Sequence, residues 1–443
     1  MKLGLIAMSG VRAHNPELTA LGLTLPGFVE RNRVIASLPS LGLLTLAGLT
    51  PPEVDVHYLE VPDVSTLSGV PEEFDVVAIS SFSAQIDEAY LLADRYRSLG
   101  TKVILGGLHV SAAVDEARDH ADAVVIGEGE PVWPQIMADL LRGTDTLREI
   151  YDARCQQFDL GCSPMPRFDL LDIERYNRLT VQTQRGCPFR CEFCAASMRI
   201  SPTYKAKPVE RVIGEVRNIK SLWKHPFIEF ADDNTFVNKS HSKQLMRALA
   251  RENIRWFTET DLSVADDAEL LKMMKDAGCA EVLIGLESTT FSGLDGVEQR
   301  SNWKAKRVDH YLDAIQTIQD YGIRVNACFI LGLDGTGLES FDNVWKFVKE
   351  SHPYDVQITV QTAFPGTPLY ARLKREGRIL RDEAWELCTL FDVNFRPAQM
   401  SVAELEAGFR ELARRLYSEE STRERRWQFH RNYRRKRRTE MTH

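Results

Sequence analysis

The sequence predicts an α/β protein: an N-terminal Rossmann-like, doubly wound parallel sheet, a partial (β/α)6 barrel of the TIM type, and a C-terminal helical extension. Three observations predict it. Short β-branched runs alternate with helical patterns up to residue 146. The alternation resumes at 179 and gives six more strand runs by 360. Beyond 370 the chain turns helical and charged.

The first runs fall at 3–8, 54–59, 76–79, 103–105 and 123–126, with helical patterns at 86–99 and 134–141. Nearly continuous apolar strands with polar turns and intervening helices make a parallel sheet covered on both faces. Ligands bind such sheets beyond the strand carboxyl ends. Residues 1–146 form this unit. Residues 147–178 read as a linker, because Cys162-Ser163-Pro164-Met165-Pro166-Arg167 is rich in breakers and has no periodicity. Strands then follow at 179–182, 227–230, 256–259, 282–284, 325–331 and 356–360, separated by helices at 208–223, 241–252, 267–277, 308–321 and 338–350. This barrel, 179–370, should carry its chemistry at the strand carboxyl ends. The extension, 371–443, holds an amphipathic helix at 403–417 and a basic run at 423–438.

At 443 residues the chain exceeds one ordinary core. A net charge of −8 argues against general nucleic-acid binding, the C-terminus apart. No apolar run is long enough to cross a bilayer. Met1 leads directly into Lys2-Leu3-Gly4-Leu5-Ile6-Ala7, a buried strand rather than a signal peptide. Eight cysteines without a secretion signal point to a reducing compartment, the cytoplasm. Cys279 and Cys328 read as core packing. Cys155 and Cys162 lie in the linker and could bind a second metal, although no further ligands cluster near them.

Cys187, Cys191 and Cys194 form a C-x3-C-x2-C nest after the first barrel strand. A structural zinc site would need a fourth ligand, and the neighbouring sequence offers no second C-x2-C or histidine pair. A chance surface grouping is the bland alternative. Three thiolates can instead hold three irons of a 4Fe–4S cluster and leave the fourth open. An open iron can chelate an amino and a carboxylate group, and so place a methionine sulfonium for one-electron reduction.

The run Arg185-Gly186-Cys187-Pro188-Phe189-Arg190-Cys191-Glu192-Phe193-Cys194 closely resembles the signature of the radical S-adenosylmethionine (SAM) superfamily. Phe230-Ala231-Asp232-Asp233-Asn234, Gly285-Leu286-Glu287-Ser288, Ile330-Leu331-Gly332-Leu333-Asp334-Gly335 and Phe364-Pro365-Gly366-Thr367-Pro368-Leu369-Tyr370 resemble its later strand-end elements, in order. The resemblance implies a 4Fe–4S cluster, SAM, and an electron donor such as flavodoxin or ferredoxin. It puts Asp232 or Asp233 at the SAM amino group, where a charge-assisted hydrogen bond is reasonable. It puts Glu287 or Ser288 at the ribose, and Gly332 and Gln361 near the adenine. The bland reading of each is a solvated loop residue.

The first unit resembles the cobalamin-binding domain that precedes the barrel in one large subfamily. The matching segments are Leu38-Pro39-Ser40-Leu41-Gly42-Leu43-Leu44, Ile79-Ser80-Ser81-Phe82-Ser83, Gly106-Gly107-Leu108-His109 and Gly127-Glu128-Gly129-Glu130. Gly106, Gly107 and Gly127 would let backbone approach a flat ligand or its nucleotide tail. Ser80 and Ser81 could bond a phosphate or the lower base. The D-x-H-x-x-G motif is absent, and none of His14, His57, His109 and His120 has its context. His109 therefore reads as a hydrogen-bonding residue beside the glycines rather than an axial ligand. A domain that binds no corrin, or part of the substrate, stays open.

With cobalamin, the resemblance implies methylation of an unactivated carbon or of phosphorus in a small-molecule or lipid substrate. A 5′-deoxyadenosyl radical from SAM would first remove a hydrogen from it. Without cobalamin it implies cyclisation or rearrangement. Arg396-Pro397-Ala398-Gln399-Met400-Ser401 and the following helix resemble the extension of relatives acting on hopanoids and tetrapyrroles. The tail could touch anionic lipid or RNA, although such runs are more often solvated terminal helices. A non-enzymatic cluster or corrin sensor is the reading from a different class.

Overall fold

The computed structural model describes residues 1–15, 17–18, 38–195 and 203–441. Two six-stranded, all-parallel sheets dominate it. The first comprises β1 (Lys2–Met8), β2 (Asp55–Val61), β3 (Val76–Ser80), β4 (Lys102–Gly106), β5 (Ala123–Ile126) and β6 (Ile150–Asp152), in the order β2-β1-β3-β4-β5-β6. The order reverses between β1 and β3, and at such a switch the connections leave a crevice at the strand carboxyl ends. Apolar residues cover both faces. Leu3, Leu5, Val76, Ala78 and Ile104 pack under the helices Leu41–Leu49 and Trp133–Arg142, whereas Ile6, Val77, Ile79 and Leu105 pack under the helix Ile86–Ser98.

The sixth strand was not expected. Ile150–Asp152 lies in the stretch read as linker, yet pairs with β5 from Val124 to Ile126. It is three residues long, with only Tyr151 buried, and so short a run has no periodicity to read. The helix Leu41–Leu49 was also unassigned. It is apolar all round, as a doubly buried helix must be.

The second sheet comprises β7 (Leu179–Val181), β10 (Phe227–Phe230), β11 (Arg255–Thr260), β12 (Cys279–Glu287), β13 (Arg324–Leu331) and β14 (Asp355–Val360). Neighbours in space follow chain order, as the partial (β/α)6 barrel requires, and a helix covers each crossover. A two-stranded hairpin of β8 (Gln184–Arg185) and β9 (Lys205–Ala206) was missed. Its strands are two residues each, too short to show alternation.

The hydrophobic cores trade residues. Val11, Leu18 and Leu44 belong to the barrel's core. Trp385 and Cys388, from the C-terminal region, belong to a core of the first sheet.

The basic tail is neither frayed nor wholly solvated. The helix Glu419–Met441 lies along the barrel. Phe429 is buried edge-on to Tyr354, and Arg425 is buried, donating to the Leu416 carbonyl and the Ser421 hydroxyl at 2.8 Å. Arg426 pairs with Asp355 and Lys436 with Asp320, each at 3.2 Å. The outer face is different: Trp427 is exposed, with the Arg431 guanidinium over its ring. Phe429→Ala should therefore cost about 3 kcal/mol of stability, and Trp427→Ala less than about 0.5 kcal/mol, read from urea-denaturation midpoints.

Candidate functional site

The cysteine loop leaves the barrel after β7, and Asp232 fixes its start. This carboxylate is buried at the end of β10 and accepts from the backbone N–H groups of Thr183 (2.8 Å) and Gln184 (3.0 Å), and from the Thr183 and Thr235 hydroxyls. Burial raises its pKa to about 6, with these donors pulling the other way. All its bonds go to protein, so of the two adjacent aspartates only Asp233 faces the site. Asp233 accepts from the Gly186 N–H (3.0 Å), lies within electrostatic reach of Cys187, and is exposed.

The loop's far side is held by Glu298, which sequence reasoning missed. It accepts from the N–H groups of Arg190 (3.2 Å), Arg300 (2.9 Å) and Ser301 (2.8 Å) and from the Ser301 hydroxyl. Burial opposes its charge, but these donors win and hold its pKa down to about 2. A β-bridge joins Cys191 to Glu298, and the Glu192 N–H donates to the Val297 carbonyl. Glu192 also pairs with Arg372 (2.7 Å), which in turn pairs with Asp334 (2.7 Å).

No disulfide joins the three cysteines, and Cys187 and Cys191 each sit within electrostatic reach of Cys194. Burial pushes the Cys187 thiol up to about 11 and the Cys191 thiol up to about 12, with Lys304 drawing Cys191 back down. Thiols so placed become thiolates when a metal takes the proton's place. Among the described residues no three His, Cys, Asp or Glu side chains could hold a single metal ion. Cys155 and Cys162 are exposed in the connecting segment.

Glu287 sits at a register shift at the end of β12 with φ +65°, a left-handed conformation that costs a non-glycine residue about 1 kcal/mol or more. The twist hands its carboxylate to the half-buried Lys304, which also donates to the Gly285 carbonyl (2.9 Å). Burial disfavours the Lys304 charge, but Glu287 and then Cys191 outweigh it and keep the lysine protonated. A lone lysine in a polar stretch gave no signal in sequence. Ser288 is buried beside Thr290. Gln361, just past β14, is buried with an unpaired side-chain oxygen. Gly332 is accounted for by packing instead: with φ +86°, a Cβ there would meet Leu405 at 2.8 Å.

The barrel's inner face is polar above an apolar patch. Phe257, Leu283 and Cys328 form a cluster separate from the outer core. Glu259 follows Phe257 on the same face, since strand side chains alternate. It opens onto the barrel interior, where loss of bulk solvent and then Glu229, Asp233 and Glu287 raise its carboxyl to about 8. Asn326 is in register with Leu283, and Gln357 with Cys328. Their side-chain oxygens are buried without a hydrogen-bond partner, as is the Thr180 hydroxyl.

The first sheet carries a cavity of about 300 Å³ that opens beside the cysteine loop. Ala78, Ile104 and Val125 form its sheet side, Leu43, Leu46 and Trp133 its helix side, and Ser80, Gly106, Gly107 and Gly127 its rim. From the barrel come Gln182, Arg185, Ala231 and Asp233. Gly107 (φ +113°) and Gly127 (φ +86°) take left-handed conformations that favour glycine. Ser111 ties the two turns together, donating to the Gly107 carbonyl (2.9 Å) and accepting from the Gly127 N–H (2.9 Å).

Two expected cobalamin contacts lie elsewhere. Ser81 does not line the cavity, and its hydroxyl donates to the Phe82 carbonyl (2.9 Å). His109 is fully buried on the other side of its short helix, 3.5 Å from Glu116 and edge-on to Trp385. Two residues beyond the glycine pair, the helical turn carries its ring away from the rim.

The Radical SAM superfamily pattern matches residues 181–348, and the B12 binding domain pattern residues 33–136. The chain thus carries a radical SAM domain behind a B12-binding domain. Its residues 367–443 match a domain of unknown function (DUF4070). The chain is 26% identical to the bacteriochlorophyllide d C-12(1)-methyltransferase of Chlorobaculum tepidum, over 85% of this chain and 82% of that one. It is 27% identical to the hopanoid C-2 methylase of Rhodopseudomonas palustris, over 79% and 67%. Its fold is similar to that of the radical SAM methyltransferase TsrM from Kitasatospora setae, with a TM-score of 0.65 at 15% identity over 94% and 83% of the chains. The cofactors of these two domain families are a 4Fe–4S cluster, SAM and cobalamin, and both the cysteine donor set and the glycine-rimmed cavity fit them.

Replacing Cys187, Cys191 or Cys194 with alanine should abolish brown colour and bound iron after anaerobic reconstitution. Cys155→Ser and Cys162→Ser should hold as much iron as the parent protein. The raised pKa of Glu259 makes ionisation cost stability as pH climbs from about 4, where an unfolded-state glutamate titrates, toward 8. Glu259→Gln removes that loss. Its thermal midpoint should match the parent's near pH 4 and exceed it increasingly up to pH 8, as followed by circular dichroism.

Proposed function

We propose that the protein is a cobalamin-dependent radical SAM methyltransferase acting on an unactivated carbon of a small-molecule or lipid substrate. One observation carries this reading: the cavity of the first sheet and the cysteine loop share walls at Arg185 and Asp233. A cofactor seated in the cavity would thus face the cluster across one chamber. The methyltransferase names of the relatives favour methyl transfer over rearrangement.

When bound, the cluster and SAM supply a 5′-deoxyadenosyl radical, and cobalamin supplies a transferable methyl group. The chain's own residues bind and orient. Cys187, Cys191 and Cys194 hold three irons. Asp233 receives the SAM ammonium, a role its fully bonded neighbour Asp232 cannot take. Glu287, locked by Lys304, faces the ribose, and the unpaired oxygen of Gln361 accepts from the adenine amine. The apolar bore between Val125 and Leu46 takes a flat base, and Ser80 at its rim takes a polar edge. Glu259, Asn326 and Gln357 receive polar groups of the substrate inside the barrel. A flavodoxin or ferredoxin delivers the electron, and the cytoplasm is where such a donor and reduced thiols coexist. The membrane contact expected of the tail rests on its outer face, at Trp427 and Arg431.

Anaerobically reconstituted protein given dithionite and SAM should release 5′-deoxyadenosine, and protein expressed with the vitamin should copurify with cobalamin. With methyl-labelled SAM and substrate, label should appear at carbon. Release of 5′-deoxyadenosine without retained cobalamin would turn the assignment toward cyclisation or rearrangement.

A further inference from the structure

The loop that carries the three cysteines leaves the barrel from β8 and re-enters through β9. At its neck Arg185 and Lys205 stand directly opposite one another in antiparallel register. Both cations reach the same turn of the first sheet. Arg185 donates to Glu128 (3.0 Å) and to Glu130 (2.6 Å), and Lys205 donates to both oxygens of Glu128 (2.7 and 2.9 Å). Gln182 accepts from the same guanidinium (2.9 Å). Two cations and two carboxylates thus close a balanced set, in which Glu128 and Glu130 are buried and the cations nearly so.

The placement has a geometric consequence. Glu128 and Glu130 follow Gly127 on the rim of the cavity, while Arg185 is two residues before Cys187. A guanidinium held by two carboxylates is fixed in plane as well as in distance, so the rim and the cluster loop cannot shift separately. Arg378 and Arg372 converge on Asp334, and Arg372 also holds Glu192 of the cysteine loop, but none of these residues lines the cavity.

We propose that Arg185 and Lys205, gripping Glu128 and Glu130, are positioning residues that set the separation between the cluster and the cobalamin. The proposal rests on the two-cofactor reading above. An ion network that merely glued two domains together would change stability when broken and leave any surviving loaded protein with its cofactors correctly spaced. A spacer would leave loaded protein with that spacing lost.

The test uses the full chain, loaded anaerobically with iron, sulfide and cobalamin and reduced to the paramagnetic states of both cofactors. Their magnetic interaction, read by pulsed electron paramagnetic resonance, falls with the cube of their separation. The parent should show one narrow distribution. Arg185→Ala, and separately Glu128→Gln with Glu130→Gln, should keep both cofactors and give a broad one. Methyl transfer per 5′-deoxyadenosine released should fall by about a hundredfold, the scale of a misplacement near 1 Å. Reversing the pair, Arg185→Glu with Glu130→Arg, should narrow the distribution again, a rescue that a folding defect would not give. Unchanged spacing in the loaded variants overturns the proposal, as does loss of either cofactor, which would make these residues ligand contacts. Absence of cobalamin from the parent defeats the functional reading instead. The clamp then stands or falls on hydrogen–deuterium exchange: Arg185→Ala must speed exchange at 127–130 and at 203–207 together, and independent behaviour of the two segments refutes it.

Discussion

A carboxylate without water must be satisfied by the protein around it, and the site grows from that constraint at Asp232. Its four donors come from Thr183, Gln184 and Thr235. Binding them forces the chain to turn after β7, which begins the hairpin and points Arg185 and the cysteine loop toward the first sheet. The same bonds leave Asp233, one residue on, facing the opening. Adjacent aspartates thus differ in place, one bonded into the fold and one open to the site.

The large elements were legible because their residues repeat a pattern. Each barrel strand is an apolar run closed by polar residues, and each crossover helix alternates with the required period. The cysteine nest was legible because metal chemistry fixes the spacing. What escaped had no repeat to read. The strand at Ile150–Asp152 and the hairpin at the loop neck are too short for periodicity. Lys304 and Glu298 are single charged residues among many, and only folding shows that they meet Glu287 and the backbone of the cysteine loop. The side on which His109 lies was illegible for a similar reason. Adjacency in sequence to two glycines says nothing of which side of a helical turn faces the ligand.

The two chambers differ in character. The cavity in the first sheet is walled by Ala78, Ile104, Val125, Leu43 and Trp133, a surface suited to a flat aromatic body. The barrel interior offers unpaired acceptors at Asn326, Gln357 and Gln361 and a carboxyl group at Glu259. Unpaired buried acceptors are costly, and proteins keep them where a partner arrives from outside. One chamber is walled by apolar shape and the other by hydrogen-bonding groups.

The exchange of residues between cores bears on how the molecule comes apart. Val11, Leu18 and Leu44 from the first unit complete the barrel's core, and Trp385 and Cys388 from the end of the chain complete a core of the first sheet. Neither core is closed by its own segment, so neither gains its full burial energy alone. Opening one region therefore exposes part of the core of another. A lineage carrying this arrangement cannot shed or swap one region without rebuilding the interior of another.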